Sequence, residues 1–235
     1  MQGKKNAGRV TMKPERLTIA VDDATRVSAL LVAPRGAIAC YVLAHGAGAG
    51  MTHPFMEAVA NELAERSIAT LRFQFPYMES GSKRPDAPKA AQAAVRAAGG
   101  EATRALPKVA LIAGGKSFGG RMTSQAQAAT ALPGVKGLAF LGFPLHPAGA
   151  PSDERAKHLF DVAVPMLFLQ GTRDTLADLT LLKPLVKRLG KRATLELIED
   201  GDHSFHVPAR TGRKDEQVRG AMLDVFAAWA RTVTS

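Results

Sequence analysis

Short apolar runs alternate with segments of helical periodicity along most of the chain, and this alternation restricts the possible folds more than any other feature. Residues 38–44, 68–73 and 109–113 have the length and composition of strands that are buried on both faces. Residues 215–231 show the apolar spacing of an amphipathic helix. Such alternation indicates an α/β protein, in which helices cover both faces of a mostly parallel sheet.

We predict about eight strands and five main helices. The strands are expected at residues 16–21, 27–33, 38–44, 68–73, 109–113, 135–142, 165–170 and 194–199, the first two as an edge hairpin. The helices are expected after Pro54, at residues 89–98, from about 120 to 131, and at 176–189 and 215–231. Only about 20 residues separate the strands that end near 142 and begin near 165, so we expect no large lid domain.

The composition fits one globular domain. The chain has 235 residues, of which 46% are apolar and 22% charged, and no apolar run approaches the roughly 18 residues of a membrane span. We predict a single domain at residues 16–235, after a basic leader at residues 1–15 without the apolar core of a secretory signal. The one cysteine, Cys40, excludes an internal disulfide framework. We therefore expect a cytoplasmic protein with no membrane segment.

The net charge of +10 raises the question of an acidic partner. Residues 1–16 carry five basic groups and one acidic group, and the remaining excess is spread along the chain. We interpret this pattern as a solvated basic surface and do not expect nucleic acid as a partner. The alternative, a nucleic-acid-associated protein, predicts binding that weakens steeply with salt.

The pentapeptide GKSFG at residues 115–119 matches G-x-S-x-G between a predicted strand and a predicted helix. In that context the pattern is typical of a turn that is too tight for nearby Cβ atoms and that projects the serine hydroxyl above the sheet. The helix that follows directs the positive end of its dipole at the same place. We therefore predict that Ser117 is a nucleophile.

A serine hydroxyl needs a base to accept its proton, and the base needs a carboxylate to orient it. Asp174 follows one late predicted strand and His203 follows the next, so both are expected at the carboxyl edge of the sheet. Asp178, one turn into a predicted helix, is the alternative acid, and His206 is the alternative base. We predict that Ser117, Asp174 and His203 form the catalytic set.

Acyl transfer also requires N–H donors for the developing oxyanion. The backbone amide of Phe118, directly after the nucleophile, is the first candidate. The small-residue loop HGAGAG at residues 45–50 is expected to supply the second donor, from Ala47 or, as second choice, from Gly48.

We predict neither a metal nor a cofactor. The histidines show no H-x-x-x-H or H-x-H spacing, and the alternative of a metal pair at His203 and His206 has no carboxylate-rich partner motif. The phosphate-loop pattern G-x-x-x-x-G-K-[ST] fails because its first glycine would fall on Ala110.

Six segments of the chain resemble, in order, those of the α/β-hydrolases. They are LAHGAGAG at 43–50, RFQFPYM at 72–78, GKSFGGR at 115–121, LGFPLHP at 141–147, QGTRD at 170–174 and DGDH at 200–203. The resemblance is closest to a small cap-less group of predicted hydrolases that includes a testis-expressed protein and a chromatin-complex subunit in animals, and more distant to dienelactone hydrolases. It implies that Ser117, Asp174 and His203 are the triad. Dienelactone hydrolases use a cysteine where this chain has Ser117, so their substrate is not carried over.

Four residues in the matching segments are expected to line a substrate pocket at the same edge. They are His45, Tyr77, Leu145 and His146. Packing within the protein is the alternative role for Tyr77, Leu145 and His146.

These observations together predict a serine hydrolase, of carboxylesterase or thioesterase type, that cleaves a small-molecule ester or thioester through an acyl-enzyme on Ser117. The alternative is a non-catalytic interaction module on the same scaffold, since a fold does not imply an activity. The two hypotheses differ in geometry. Catalysis requires Ser117 and His203 within hydrogen-bond reach, whereas a separation beyond about 5 Å favours the module.

Overall fold

Eight strands form one sheet in this computed structural model, which describes residues 12–235. The strands are β1 Glu15–Ala20, β2 Arg26–Val32, β3 Ala39–Ala44, β4 Ile68–Phe73, β5 Ala110–Lys116, β6 Val135–Leu141, β7 Met166–Gly171 and β8 Ala193–Ile198. The predicted leader at residues 1–15 lies mostly outside the described residues, and its last residue, Glu15, begins β1. The predicted α/β class and the number of strands are confirmed.

The strand order explains where a site can form. The order is β1-β2-β4-β3-β5-β6-β7-β8, with β2 antiparallel to both β1 and β4 and every other pair parallel. After β3 the chain adds β4 on one side. From β5 onward it adds β6, β7 and β8 on the other side. The crevice at the carboxyl ends of β3 and β5 is therefore the topological switch point, where open α/β sheets place their ligands.

Six α-helices pack around the sheet within the described residues. They are α1 Pro54–Ala64, α2 Pro76–Glu79, α3 Pro88–Ala105, α4 Phe118–Ala129, α5 Leu179–Leu189 and α6 Asp215–Thr234. Alternate residues of β3 point to opposite faces: Cys40 and Val42 pack in the cluster that holds α3, α4 and α5, whereas Tyr41 and Leu43 pack with α1 and α6. Both faces of the central strands are thus buried, which accounts for their continuous apolar sequence.

The structure differs from the predicted elements chiefly in the helices. Helix α3 continues through Gly99 and Gly100 to Ala105, because its buried residues, including Gly99 and Ala102, pack in the protein interior and offset the low helix propensity of glycine. The short helix α2 lies in a segment predicted to be a loop.

The connection from β6 to β7 contains a 3₁₀ helix at Glu154–Asp161. It adds no separate lid domain within residues 12–235. In the same part of the chain, no helix combines the length and apolar character needed to cross a bilayer.

Candidate active site

Ser117 lies at a strained turn between β5 and α4. Its backbone angles are φ 51° and ψ −116°, and its N–H donates to Leu141 O at 3.3 Å. A positive φ is uncommon for a residue with a Cβ, and such strain costs on the order of 1–3 kcal/mol. Strain of this kind persists where the surrounding packing imposes it, and it often marks a functional residue. The turn places Ser117 at the N-terminus of α4 and at the switch point of the sheet.

Two glycines allow the turn to approach β3. A Cβ on Gly115 would lie 2.3 Å from Ala44 O, and a Cβ on Gly119 would lie 2.5 Å from the same oxygen. Because the obstructing atoms belong to the backbone of a central strand, they cannot move aside cheaply. The structure therefore explains why the motif needs glycine at both positions.

This close approach predicts a large loss of stability in Gly119→Ala. We expect the free energy of unfolding to fall by at least about 2 kcal/mol, because the added methyl overpacks against the backbone of Ala44 and His45. Gly100→Ala in α3 is the matched control, since no atom lies within 4 Å of its Cβ position. The control should raise stability by roughly 0.5–1 kcal/mol in urea unfolding. Equal midpoints for the two variants would contradict the packing described here.

The structure brings Ser117, His203 and Asp174 together from three separate segments. The Ser117 Oγ–H donates to His203 Nε2 at 2.9 Å, and His203 Nδ1–H donates to Asp174 Oδ2 at 2.7 Å. Asp174 follows β7 and His203 follows β8, so parallel strand ends bring both side chains to the edge that carries Ser117. The Asp174 side chain is fully buried, whereas 24% of the His203 side chain is exposed.

Asp174 is held as a carboxylate by several partners. Gln170 Nε2 donates to Asp174 Oδ2 at 2.5 Å, and the backbone N–H of Leu176 donates to Oδ1 at 2.8 Å. Burial by itself would raise the pKa of Asp174, but the hydrogen bonds from His203 and Leu176 and the nearby charges hold that pKa below its ordinary value. Gln170 is itself fixed by accepting the N–H of Phe143 at 2.9 Å. Gln170 is the first residue of the QGTRD segment, but no role was predicted for it from the sequence.

The alternative acid and base lie elsewhere. Asp178 is the N-cap of α5, where its Oδ1 accepts the N–H of Thr180 at 2.8 Å. His206 is exposed, and its Nδ1 is paired with Asp215 Oδ2 at 2.8 Å. Among residues 12–235, no group of three or more His, Cys, Asp or Glu side chains is arranged to hold a metal ion.

The loop after β3 lies beside Ser117, as predicted, but Gly48 does not fit the expected role. Its N–H donates to Tyr77 Oη at 2.9 Å and is therefore already engaged. The N–H groups of Ala47 and Phe118 have no acceptor among the described residues, and Ala47 lines the cavity over Ser117. Ala47 and Phe118 are thus the available donor pair. Tyr77, predicted to contact substrate, is instead buried and supports this loop through its hydroxyl.

His45 was predicted to contact substrate, and the structure shows that this is wrong. The side chain is fully buried, its Nδ1–H donates to Gly46 O at 2.8 Å, and its Nε2 accepts the N–H of Phe75 at 3.1 Å. Burial lowers the pKa of His45, so the ring stays neutral. With both ring nitrogens occupied, His45 fixes the shape of the loop and has no donor or acceptor left for a ligand.

Leu145 and His146 were also predicted to contact substrate, and this too is wrong. Leu145 is fully buried in the core. His146 Nδ1–H donates to Pro147 O at 2.8 Å, and its Nε2 accepts the N–H of Asp178 at 2.8 Å. The segment after β6 folds back against the loop between β7 and α5, where the N–H of His146 also donates to Leu176 O at 3.0 Å. The position of His146 just after β6 in the sequence does not show that the segment folds back in this way. In the structure, His146 supports the loop that carries Asp174.

A cavity of about 360 Å³ opens over Ser117. Its apolar wall includes Phe55, Met56 and Leu176, and its polar atoms include those of His53 and His203. His53 and Phe55 were not among the residues predicted from the sequence. Their position at the start of α1 could have identified them. This helix begins shortly after the loop at residues 45–50, so its first turn lies at the edge of the sheet that carries Ser117.

Solved structures with the same fold come from several organisms. The crystal structure of XC6422 from Xanthomonas campestris, described as a serine hydrolase without lid, has a TM-score of 0.70 at 22% identity, with 92% of this chain and 95% of that chain covered. A dienelactone hydrolase from Anabaena variabilis gives 0.73 at 19% identity, with coverages of 94% and 99%. Est1E from Butyrivibrio proteoclasticus gives 0.66 at 17%, with coverages of 90% and 99%. At these identities the likeness shows the fold alone.

The sequence itself matches a family model. The model describes an alpha/beta hydrolase domain and matches residues 37–231, which span β3 to α6. The narrower resemblance to the group with the testis-expressed protein stays a prediction. The predicted superfamily is confirmed, and the chain belongs to the α/β hydrolase domain family.

Proposed function

We propose that this chain is a serine hydrolase that cleaves an ester or thioester of a small acyl group. The observation that carries the proposal is the continuous set of hydrogen bonds from Ser117 through His203 to Asp174, at 2.9 and 2.7 Å. Both distances lie in the range in which a general base accepts a proton from a nucleophile. No rearrangement of the site is needed before the reaction begins.

The arrangement supports a two-step reaction. Ser117 Oγ attacks the carbonyl carbon as its proton passes to His203 Nε2, and the N–H groups of Phe118 and Ala47 stabilise the tetrahedral oxyanion. The tetrahedral intermediate then expels the alcohol or thiol, which takes the proton from His203, and leaves an acyl group on Ser117. Water attacks this acyl-enzyme with His203 again as the base, and the acid is released. Asp174 keeps the proton of the imidazole on Nδ1 and stabilises the imidazolium that forms in each step.

The cavity supports a small acyl group. Its volume of about 360 Å³ is near the lower limit of ligand pockets in proteins. Phe55, Met56 and Leu176 would contact an aliphatic chain, and the cavity offers no carboxylate among its lining residues. These features favour a short acyl chain that carries no positive charge.

A separation of more than about 5 Å between Ser117 and His203 would have favoured the interaction-module hypothesis. Their atoms lie 2.9 Å apart, which supports catalysis instead.

A panel of p-nitrophenyl esters tests the proposal. We expect kcat/KM to be highest for acetate or butyrate and to fall by at least about tenfold for octanoate, as the proposed preference for a small acyl group requires. The matching p-nitrophenyl thioacetate distinguishes thioester from oxygen-ester preference. Absence of turnover with every ester of the panel would contradict the proposed function.

A further inference from the structure

Lys116 links the strand of the nucleophile to the loop of the base. It is the last residue of β5 and directly precedes Ser117, and its Nζ donates to the backbone carbonyl of His203 at 2.5 Å. The same Nζ lies 5.4 Å from the centroid of the Phe205 ring, within the range of a cation–π contact. The Lys116 side chain therefore connects the residue next to Ser117 with the backbone of His203.

The ammonium of Lys116 is costly to keep at this place. Burial lowers the pKa of Lys116 to about 8, although the charges of Asp174 and Asp202 act in the opposite direction. A buried cation contributes less to stability than an apolar side chain of similar size. Stability alone therefore does not account for a lysine beside the reacting atoms, and a functional account is needed.

The loop that carries His203 is anchored within itself and to the loop after β7, where the N–H of Arg173 donates to Gly201 O at 2.8 Å. Asp202 Oδ1 accepts the N–H groups of Ser204 and His206, which fixes the local turn. Phe205 is buried with φ 64° and stacks on Phe55 of α1 at 6.0 Å between ring centroids. None of these contacts connects the loop to β5, which leads directly into Ser117. The bond from Lys116 makes that connection.

We infer that Lys116 is a positioning residue that holds His203 at hydrogen-bond distance from Ser117. This inference rests on the proposed function, because it concerns the base of the same reaction. A base displaced by as little as about 1 Å lowers the rate by on the order of 10²-fold. Lys116 also lines the cavity, so loss of the ammonium should lower kcat by a larger factor than it changes KM.

The test compares Lys116→Met with Lys116→Cys before and after alkylation by 2-bromoethylamine, which rebuilds an ammonium at the same chain length. The only cysteine of the chain, Cys40, is fully buried, so alkylation of the folded variant is directed to position 116 and is checked by mass. Lys136→Met on β6 is the control, because Lys136 is exposed. We expect kcat with p-nitrophenyl acetate to fall about 10–100-fold in both Lys116→Met and Lys116→Cys. Alkylation of Lys116→Cys should restore kcat. The Tm of Lys116→Met should not be lower than that of the wild type.

A second readout does not depend on turnover. The proton on His203 Nδ1 gives a downfield NMR resonance through its bond to Asp174, and we expect it to shift or broaden in Lys116→Met and to be unchanged in Lys136→Met. An unchanged resonance together with a kcat within twofold of the wild type would overturn the inference. A fall in kcat that follows a fall in Tm and is not restored by alkylation would overturn it as well. An inactive wild type would instead contradict the proposed function, and the resonance alone would then decide the role of Lys116.

Discussion

Ser117→Ala is expected to lower kcat for p-nitrophenyl acetate by on the order of 10⁶-fold, because it removes the only atom that forms the acyl-enzyme. The fold should persist, since alanine accepts the same backbone conformation as serine and the Oγ contact is with His203 rather than with the core. Circular dichroism and the unfolding midpoint check the fold.

Ser124→Ala is the matched control for this variant. Ser124 is a buried serine of α4 whose Oγ bonds to His158 Nε2 at 2.8 Å, so it also forms a serine–histidine pair. This pair lies away from the lining of the cavity, and we expect the control to retain kcat within about threefold. Retention of more than a small fraction of the activity in Ser117→Ala would show that another group performs the reaction.

Asp174→Asn has the second-largest expected effect, a fall in kcat of about 10⁴-fold. In the wild type, Asp174 Oδ2 accepts from both His203 Nδ1 and Gln170 Nε2. If the NH₂ group of the introduced asparagine took the place of Oδ2, it would face two other N–H donors. If the amide oxygen took that place, it would lack the negative charge that stabilises the imidazolium. The imidazole is then free to carry its proton on Nε2, where it can no longer accept the proton of Ser117.

Asp178→Asn is the control for Asp174→Asn. Asp178 is a half-buried helix cap, and asparagine caps helices about as well as aspartate, so kcat should stay within about twofold. If the two variants lost activity equally, the assignment of the acid would be wrong.

The same carboxylate predicts a dependence of stability on pH. The pKa of Asp174 is lowered in the folded state, so its contribution to stability is present above the ordinary carboxyl pKa and is lost as the pH falls through the lowered value. Wild type and Asp174→Asn should therefore differ most in stability near neutral pH and converge in acid.

Local sequence patterns were sufficient for the sheet and for most helices. The runs that form β3, β4, β5 and β7 are buried on both faces, and such strands can be predicted because most of their positions are apolar or glycine. Helix α3 was predicted too short because a pair of glycines normally ends a helix. Its continuation depends on packing against other elements, which a local pattern does not contain.

For the site, the residues with a motif could be located and the residues with only a tertiary role could not. Ser117, Asp174 and His203 each follow a strand, and the parallel order of those strands is enough to place them at one edge. His45 and His146 follow strands too, yet both rings are occupied by backbone groups of distant segments, namely Phe75 and Asp178. These contacts form only when distant segments come together in the fold, so a local sequence pattern does not predict them.

Gln170 and Lys116 show the opposite case. Neither residue was assigned a role from the sequence, because their partners, Asp174 and the carbonyl of His203, come close only after folding. Lys116 occupies a variable position of G-x-S-x-G, where the motif specifies no side chain.

Peptide mapping after treatment with a fluorophosphonate probe tests the central claim most directly. The probe forms a stable phosphonyl bond only with a serine activated by a neighbouring base, so one adduct per chain is expected, on Ser117. Prior acid denaturation should abolish the labelling, because it separates Ser117 from His203. An unlabelled native protein, or an adduct on a different residue such as Ser204 at the cavity wall, would contradict the account.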